Sequence, residues 1–266
     1  ILSQLTSAVL VVVTLMRSPM NYQLFPKKIR FHGEMLRGIV RIGLPAGLQS
    51  VMYSISNVII QSGVNSFGTD TMAAWTAYGK IDGLFWMTIN AFGIAITTFS
   101  GQNFGAGKYD RMRQSVRTCL KMAFATTIVL SGVLLLGGGF LLKMFTDDAN
   151  VVKIGLSIIR LLVPTYFTFV CIEVLSGAVR GTGDTLVPTI MTLTGVCLMR
   201  VLWLFFVVPH NRTLPMVLVS YPLTWALTSV LFIVYYLSGS WFCRASNFSW
   251  DSVETRCMYC PDTGME

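Results

Sequence analysis

Seven apolar segments, separated by short polar breaks, constrain the fold of this chain more than any other feature. A helix needs about 20 mainly apolar residues to cross the hydrocarbon core of a bilayer. The segments cover 1–16, 42–64, 82–100, 122–142, 154–178, 186–208 and 214–238. We therefore predict an all-α integral membrane protein, in which segment 1–16 is too short for a complete span.

The charge content agrees with a surface that faces lipid. Of the 266 residues, 53% are hydrophobic and only 12% are charged, whereas soluble domains carry roughly 25% charged residues. Both histidines, His32 and His210, fall in loops, and no Ser/His/Asp or Cys/His set accompanies them. We therefore predict a protein that is not an enzyme and holds no cofactor or bound metal.

Lysine and arginine set the direction of the predicted spans, because basic loops stay in the cytoplasm. Loop 17–41 has six such residues and loop 101–121 has five; with Arg180 and the tail, one side carries 14 and the other only 4. This alternation predicts a multi-pass protein of the plasma (inner) membrane with a cytoplasmic carboxyl terminus. It also accounts for the net charge of +8 without a nucleic-acid partner.

The two ends of the chain carry less information. The first residue is Ile1, and segment 1–16 has no signal-peptide pattern, so we expect that segment to be the end of a helix cut at its start. The tail, 239–266, is polar and aperiodic, which predicts disorder. Its single Cys257-x-x-Cys260 pair supplies only two of the four ligands that a zinc site normally needs.

Ionisable residues within spans are costly and are functional candidates by default. Glu173 lies about five residues, or roughly 7 Å, from the cytoplasmic end of its segment, where it would bind a cation or proton, or only hydrogen-bond a neighbouring helix. Arg200 lies too deep to reach the headgroups, and its role is either functional or structural. Arg160 is expected to extend toward the outer surface. Asp82 and Asp184 are expected at helix ends, solvated or capping.

Segment 42–64 carries a polar face. Ser50, Ser54, Asn57 and Gln61 recur at intervals of four, three and four residues, which places them on one side of a helix. Such a face either lines a cavity or holds helices together through hydrogen bonds. Asn90, in segment 82–100, is expected to join it.

Several glycine-containing motifs occur in a fixed order along the chain. They are Gly43-Leu-Pro45, Gly63-Val-Asn-Ser-Phe-Gly68, Gly101-Gln-Asn-Phe-Gly-Ala-Gly-Lys-Tyr-Asp110, Arg160-Leu-Leu-Val-Pro164 and Gly177-Ala-Val-Arg-Gly-Thr-Gly-Asp184. The spacings 101–105 and 177–181 are typical of closely packed membrane helices. The ordered set, over about 42–209, resembles the multidrug and toxic compound extrusion (MATE) family.

The resemblance implies a transporter of two six-helix lobes that exports drugs or organic cations in exchange for Na⁺ or H⁺. Segment 1–16 then resembles the last helix of a missing first lobe, 17–41 the basic cytoplasmic linker, and 42–238 the second lobe. Glu173 matches an acidic position that many members carry in the fourth helix of this lobe. Asn57, Gln61, Asn90, Tyr166 and Arg200 are the further ion- or substrate-binding candidates.

Three alternatives stay open at this point. The same scaffold also serves flippases for lipid-linked precursors, which need a strongly cationic cavity; Arg160 and Arg200 are the candidates for one here. A seven-helix receptor would match the number of segments but would leave the glycine motifs unexplained. Finally, a chain with one lobe of two would be inactive alone, since one wall of its cavity is absent.

Overall fold

The computed structural model describes residues 2–17, 23–25, 30–239 and 241, and the regular structure in these ranges is helical. The chain divides into two compact units, Ile1–Arg41 and Ile42–Glu266. The predicted disordered tail, with Cys257 and Cys260, falls almost entirely outside the described residues.

The first unit contains α1, a short apolar helix over Leu2–Arg17, and the beginning of α2, Gly33–Asn65. The rest of α2 belongs to the second unit. The remaining helices are α3 (Thr69–Gly105), α4 (Tyr109–Lys143), α5 (Ala149–Leu162), α6 (Tyr166–Gly181), α7 (Leu186–Thr192), α8 (Met199–Phe206), α9 (Leu214–Leu218) and α10 (Ser220–Leu237).

Within the described ranges, five helical stretches are long and apolar enough to cross a membrane. They are Thr69–Gly105, Tyr109–Lys143, Ala149–Gly181, Leu186–His210 and Leu214–Leu237. They match the last five predicted segments, so the prediction of an all-α membrane protein is confirmed. Helix α2 is long enough, but the polar residues Gln49, Asn57 and Gln61 make it less apolar than the five stretches, so a crossing there stays a prediction.

Of the five stretches, Leu214–Leu237 is divided at Val219 between α9 and α10, and two more are not regular α-helices. Pro164 lies in a 3₁₀ turn, Val163–Thr165, that joins α5 to α6. Proline lacks an N–H and clashes with the preceding turn, which explains the break. The second irregularity is a π-helical segment, Leu193–Leu198, that joins α7 to α8. Wide turns of this type are often found at functional sites.

Helix α3 begins much earlier than predicted. It starts at Thr69 instead of residue 82, because Thr71, Ala74, Tyr78 and Ile81 recur at helical spacing and are buried on one side. Lys80, one of the four basic residues assigned to the outer side from the sequence, therefore lies within the helix. In the same way α4 begins at Tyr109, directly after a tight turn at Gly107 (φ +69°), so most of the basic residues expected in loop 101–121 lie in its first turns.

Glycines allow α3 and α6 to approach closely. A methyl group on Gly181 would lie 2.4 Å from the carbonyl oxygen of Thr97, and one on Gly177 would lie 2.9 Å from that of Gly93. The Thr97 hydroxyl donates across this interface to the Gly177 carbonyl oxygen at 3.0 Å. The predicted close packing is confirmed for the 177–181 pair. It is wrong for Gly105, which has no atom within 4 Å of its would-be methyl group.

The outer surface of the second unit is apolar along α4. Ile128, Val129, Val133, Leu136 and Phe140 are all exposed there. A continuous apolar helix face of this kind is suited to lipid chains.

Candidate functional site

A cavity of about 390 Å³ lies within the second unit, among α2, α3, α5, α8 and α10. Its lining combines aromatic rings, two amides, one carboxylate and one guanidinium. The lining residues are Tyr53, Asn57, Gln61, Trp75, Tyr78, Gly79, Asp82, Trp86, Leu162, Arg200, Tyr221 and Trp225. A groove of about 420 Å³ between α3 and α4, at Phe99 and Arg111, has no acidic lining residue. The first cavity, unlike the groove, therefore combines an acid, a base and aromatic rings in one lining.

Asp82 is the acidic residue of this cavity, and its carboxylate is held by hydrogen bonds. The hydroxyl of Tyr166 donates to Oδ1, and the indole Nε1 of Trp86 donates to Oδ2 at 2.6 Å. The hydroxyls of Tyr166 and Tyr78 are 2.8 Å apart, so the hydrogen-bonded chain extends to Tyr78. This arrangement fixes the carboxylate on the side of the cavity formed by α3.

The prediction that Asp82 lies at a helix end is wrong. Thirteen residues of α3, from Thr69 to Ile81, precede it. Asp184 does lie next to a helix start: its carboxylate accepts a hydrogen bond from the Val187 N–H at 3.4 Å and another from the Tyr235 hydroxyl at 3.2 Å.

Arg200 contributes the positive charge, and it is only 2% exposed. One guanidinium nitrogen donates to the Thr224 hydroxyl at 3.4 Å, and the guanidinium carbon lies 4.0 Å from the centre of the Tyr221 ring. These contacts identify the structural partners of Arg200 that the sequence left unnamed. The π-helical segment ends two residues before Arg200 and so sets the direction of its side chain.

Aromatic rings connect the two charged sides of the cavity. Trp225 lies between them, with ring centroids 6.1 Å from Trp86 and 5.5 Å from Tyr221. Phe85 stacks on Tyr166 at 4.0 Å and supports the Asp82 network from behind. The cavity thus has an apolar middle and a charge at each side, which suits an amphipathic organic molecule.

The family model MatE matches residues 45–206, more than half of the chain. The chain belongs to the MatE family.

Relatives and solved structures agree with membership of the MatE family. The probable multidrug resistance protein YoeA of Bacillus subtilis is 25% identical over 210 residues, which cover 78% of this chain and 45% of that protein. A probable multidrug resistance protein NorM of Thermotoga maritima is 23% identical over 208 residues, with the same coverage. The chain spans about half the length of the curated relatives it matches.

Two solved transporters share the fold over 92% of this chain, each at 19% identity and a TM-score of 0.79. One is an outward-facing multidrug resistance MATE family transporter of the MOP superfamily, of which the chain covers 55%. The other is a MOP superfamily transporter from Pyrococcus furiosus, covered over 54%, for which a reverse polarity of the binding pocket suggests a different function. The resemblance that the glycine motifs indicated is therefore confirmed, and the seven-helix receptor is excluded.

The residues predicted to form the site of this MatE protein fall into two groups. Asn57, Gln61 and Arg200 line the cavity, and Tyr166 reaches it through its bond to Asp82. Glu173 does not line it. Its carboxylate packs against α3, where a methyl group on Gly93 would lie 2.3 Å from Oε1.

Asn90 and Arg160 also lie apart from the cavity. Asn90 is exposed on α3 about two turns beyond Asp82, and Arg160 is exposed on α5. The expectation that Asn90 joins the polar face of α2 stays a prediction, since neither residue lines the cavity of this lobe. Arg160 likewise adds no positive charge to it.

Proposed function

We propose that this chain forms one lobe of a secondary active antiporter that exports amphipathic drugs or organic cations in exchange for Na⁺ or H⁺. The observation that carries the proposal is the aromatic cavity with Asp82 and Arg200 on its walls, inside a lobe of the MatE family. Ionisable side chains at membrane depth usually mark a transport pathway. The multidrug resistance proteins among the relatives favour an organic compound as the cargo.

A second six-helix lobe would complete the binding space. Asn57 lines the cavity but is also exposed, and Ser50 and Ser54 on the same side of α2 are exposed. A polar helix face is unfavourable against lipid, so it should face protein or a water-filled cleft. The length of the relatives, about twice the matched part, supports a partner lobe of similar size.

The coupling ion would act at the carboxylates on the α3–α6 interface. Asp82, on α3, accepts a hydrogen bond from Tyr166 at the start of α6. Glu173 lies seven residues after Tyr166 on the same side of α6, about 10 Å further along the helix axis. A proton or Na⁺ bound at Asp82 would remove its negative charge from the cavity and weaken the binding of a cationic group. Ion and substrate then favour different facings of the lobes, as alternating access requires.

The lysine and arginine distribution favours one orientation in the membrane. The basic residues near the start of α4 would face the cytoplasm, as would the carboxyl terminus, in the plasma (inner) membrane. Labelling of single cysteines from either side of the membrane tests this orientation.

Efflux from cells that lack their own pumps tests the transport function. The chain is expressed alone and as the full-length protein with any upstream lobe, and cells are loaded with ethidium, a cation, or fluorescein, an anion. We expect energy-dependent efflux of at least one dye, and we expect it to require both lobes. Repeating the assay after collapsing the Na⁺ or the proton gradient identifies the coupling ion.

Asp82→Asn is the decisive variant in that assay, with Asp70→Asn as its matched control. Asp70 is an exposed residue in the first turn of the same helix. We expect Asp82→Asn to abolish coupled efflux and Asp70→Asn to leave it unchanged. If the full-length protein is inserted in the membrane but changes the retention of neither dye, the transport proposal is refuted.

A flippase for lipid-linked precursors is the second candidate on this scaffold. The observation that favours it is Arg200, a buried cation on the cavity wall. The cavity has one guanidinium and one carboxylate among its lining residues, so it is not strongly cationic. The antiporter therefore remains the better supported function.

A further inference from the structure

Arg200 is a buried cation with few partners. Its guanidinium group has five N–H donors. The hydrogen bond to Thr224 is long, at 3.4 Å, and the Nε atom has no hydrogen-bond partner although it is buried. The Tyr221 ring compensates the charge only in part, because a cation–π contact is weaker than a hydrogen-bonded ion pair.

The carboxylate on the other side of the cavity does not neutralise Arg200. Asp82 already accepts hydrogen bonds from Tyr166 and Trp86. Among the described residues, Arg200 has no ion pair within 4.0 Å. A buried charge without a counter-charge is unfavourable, so an anion supplied from the cavity would stabilise it.

The surroundings of Arg200 hold it in place for such an anion. Tyr221 lies beneath the guanidinium plane and Thr224 holds one of its nitrogens, both from α10, while the π-helical segment directs the side chain from its own helix. A planar, pre-positioned guanidinium binds carboxylate and phosphate oxygens in pairs. This is a built site with unused donors, and it opens on a cavity of about 390 Å³.

We infer that Arg200 binds the acidic group of the transported compound, so that the substrates are amphipathic organic acids or zwitterions with a carboxylate, sulfonate or phosphate group. The apolar or aromatic body of the compound lies against Trp75, Trp86 and Trp225. This inference rests on the proposed transport function and narrows its substrate class. A cationic group on the same compound would lie toward Asp82.

Binding of a matched pair of probes to the purified full-length protein tests the inference. 4-Nitrobenzoate and its neutral analogue 4-nitrobenzamide both quench tryptophan fluorescence, and three tryptophans line the cavity. We expect 4-nitrobenzoate to bind at least about ten-fold more tightly, because hydrogen bonds between charged groups are the stronger ones. Partition into detergent favours the neutral amide and so cannot produce this result.

Two variants test whether Arg200 causes the preference for 4-nitrobenzoate. Arg200→Gln should abolish the difference between the probes, and Arg200→Lys, which keeps a charge, should retain part of it. Arg160→Gln is the matched control, since it removes an exposed arginine outside the cavity. Equal binding of the two probes to the unaltered protein would overturn the inference, as would a preference that survives in Arg200→Gln.

Arg200→Lys covers the case in which Arg200→Gln does not fold. It keeps the charge but loses the paired donors of a guanidinium, so the ratio of the two probe affinities should fall without reaching one. A ratio equal to that of the unaltered protein would overturn the inference. The failure of this inference can be told apart from the failure of the transport proposal. Ethidium efflux by a protein that does not prefer 4-nitrobenzoate would refute the substrate class alone. Binding of 4-nitrobenzoate by a protein that exports neither dye would refute the transport proposal alone.

Discussion

Replacing Gly181 by alanine tests the close packing of α6 against α3. The added methyl group would lie 2.4 Å from the Thr97 carbonyl oxygen, 2.9 Å from the Ser100 Cβ and 3.0 Å from the Gly101 nitrogen. Ordinary contacts begin at 3.4 Å. Two of the three obstacles are backbone atoms, which cannot rotate away, so α3 and α6 must separate by about 1 Å or bend.

The expected cost follows from two contributions. Overpacking of a tight contact costs about 1–3 kcal/mol. Separation of the helices also stretches the hydrogen bond from Thr97 to Gly177, and such bonds between membrane helices contribute about 0.6 kcal/mol on average. We expect a loss of about 2–3 kcal/mol, which lowers the folding equilibrium constant by roughly thirty-fold or more.

Gly105→Ala is the matched control for this substitution. Gly105 is also a helical glycine, at the end of α3, but nothing lies within 4 Å of its would-be methyl group. Alanine there should be neutral or stabilise the protein by up to about 0.5–1 kcal/mol. Unfolding of both variants in mixed detergent and dodecyl sulfate micelles gives the comparison. If Gly181→Ala unfolds within about 0.5 kcal/mol of Gly105→Ala, the close contact between α3 and α6 is not real.

Three further substitutions concern the carboxylates. Tyr166→Phe removes the donor to Asp82 and should cost about 1–2 kcal/mol in the same unfolding assay; an unchanged midpoint would argue against the network. Glu173→Gln should lower coupled dye efflux by the full-length protein, and unchanged efflux would remove Glu173 from the ion site. Gly93→Ala should reproduce that efflux defect with little loss of stability, since the three atoms nearest its methyl group, Glu173 Oε1, Cδ and Cγ, belong to one movable side chain; a large loss of stability would contradict this.

The helices and their glycine contacts could be predicted because both depend on local patterns. Apolar length alone located the last five segments, and small residues four apart located the contact of Gly177 and Gly181 with α3. The same spacing was misleading at Gly105, because a spacing shows that a close approach is possible and not that a partner helix is present.

The candidate site was harder to predict because its parts are distant in the sequence. Asp82 stands beside Lys80 and Ile81 in a stretch that a hydropathy pattern assigns to a helix end, and its partner Tyr166 follows 84 residues later. One signal was available: Thr71, Ala74, Tyr78 and Ile81 continue the helical period upstream of Asp82, which places the carboxylate within the helix. Arg200 could be predicted as a candidate because it lies deep within an apolar segment. Its contact with Tyr221 could not, because it depends on the π-helical segment, which no residue pattern indicates.

That wide turn, Leu193–Leu198, makes the direction of Arg200 depend on the number of residues that precede it. In a regular α-helix each residue turns the chain by about 100°. A deletion of one residue here would let α7 and α8 join as a continuous α-helix and would turn Arg200 away from the cavity by about that angle. In most membrane helices losing one residue disturbs the whole span; in this one the same loss would act as a rotation that removes a single charge from the cavity.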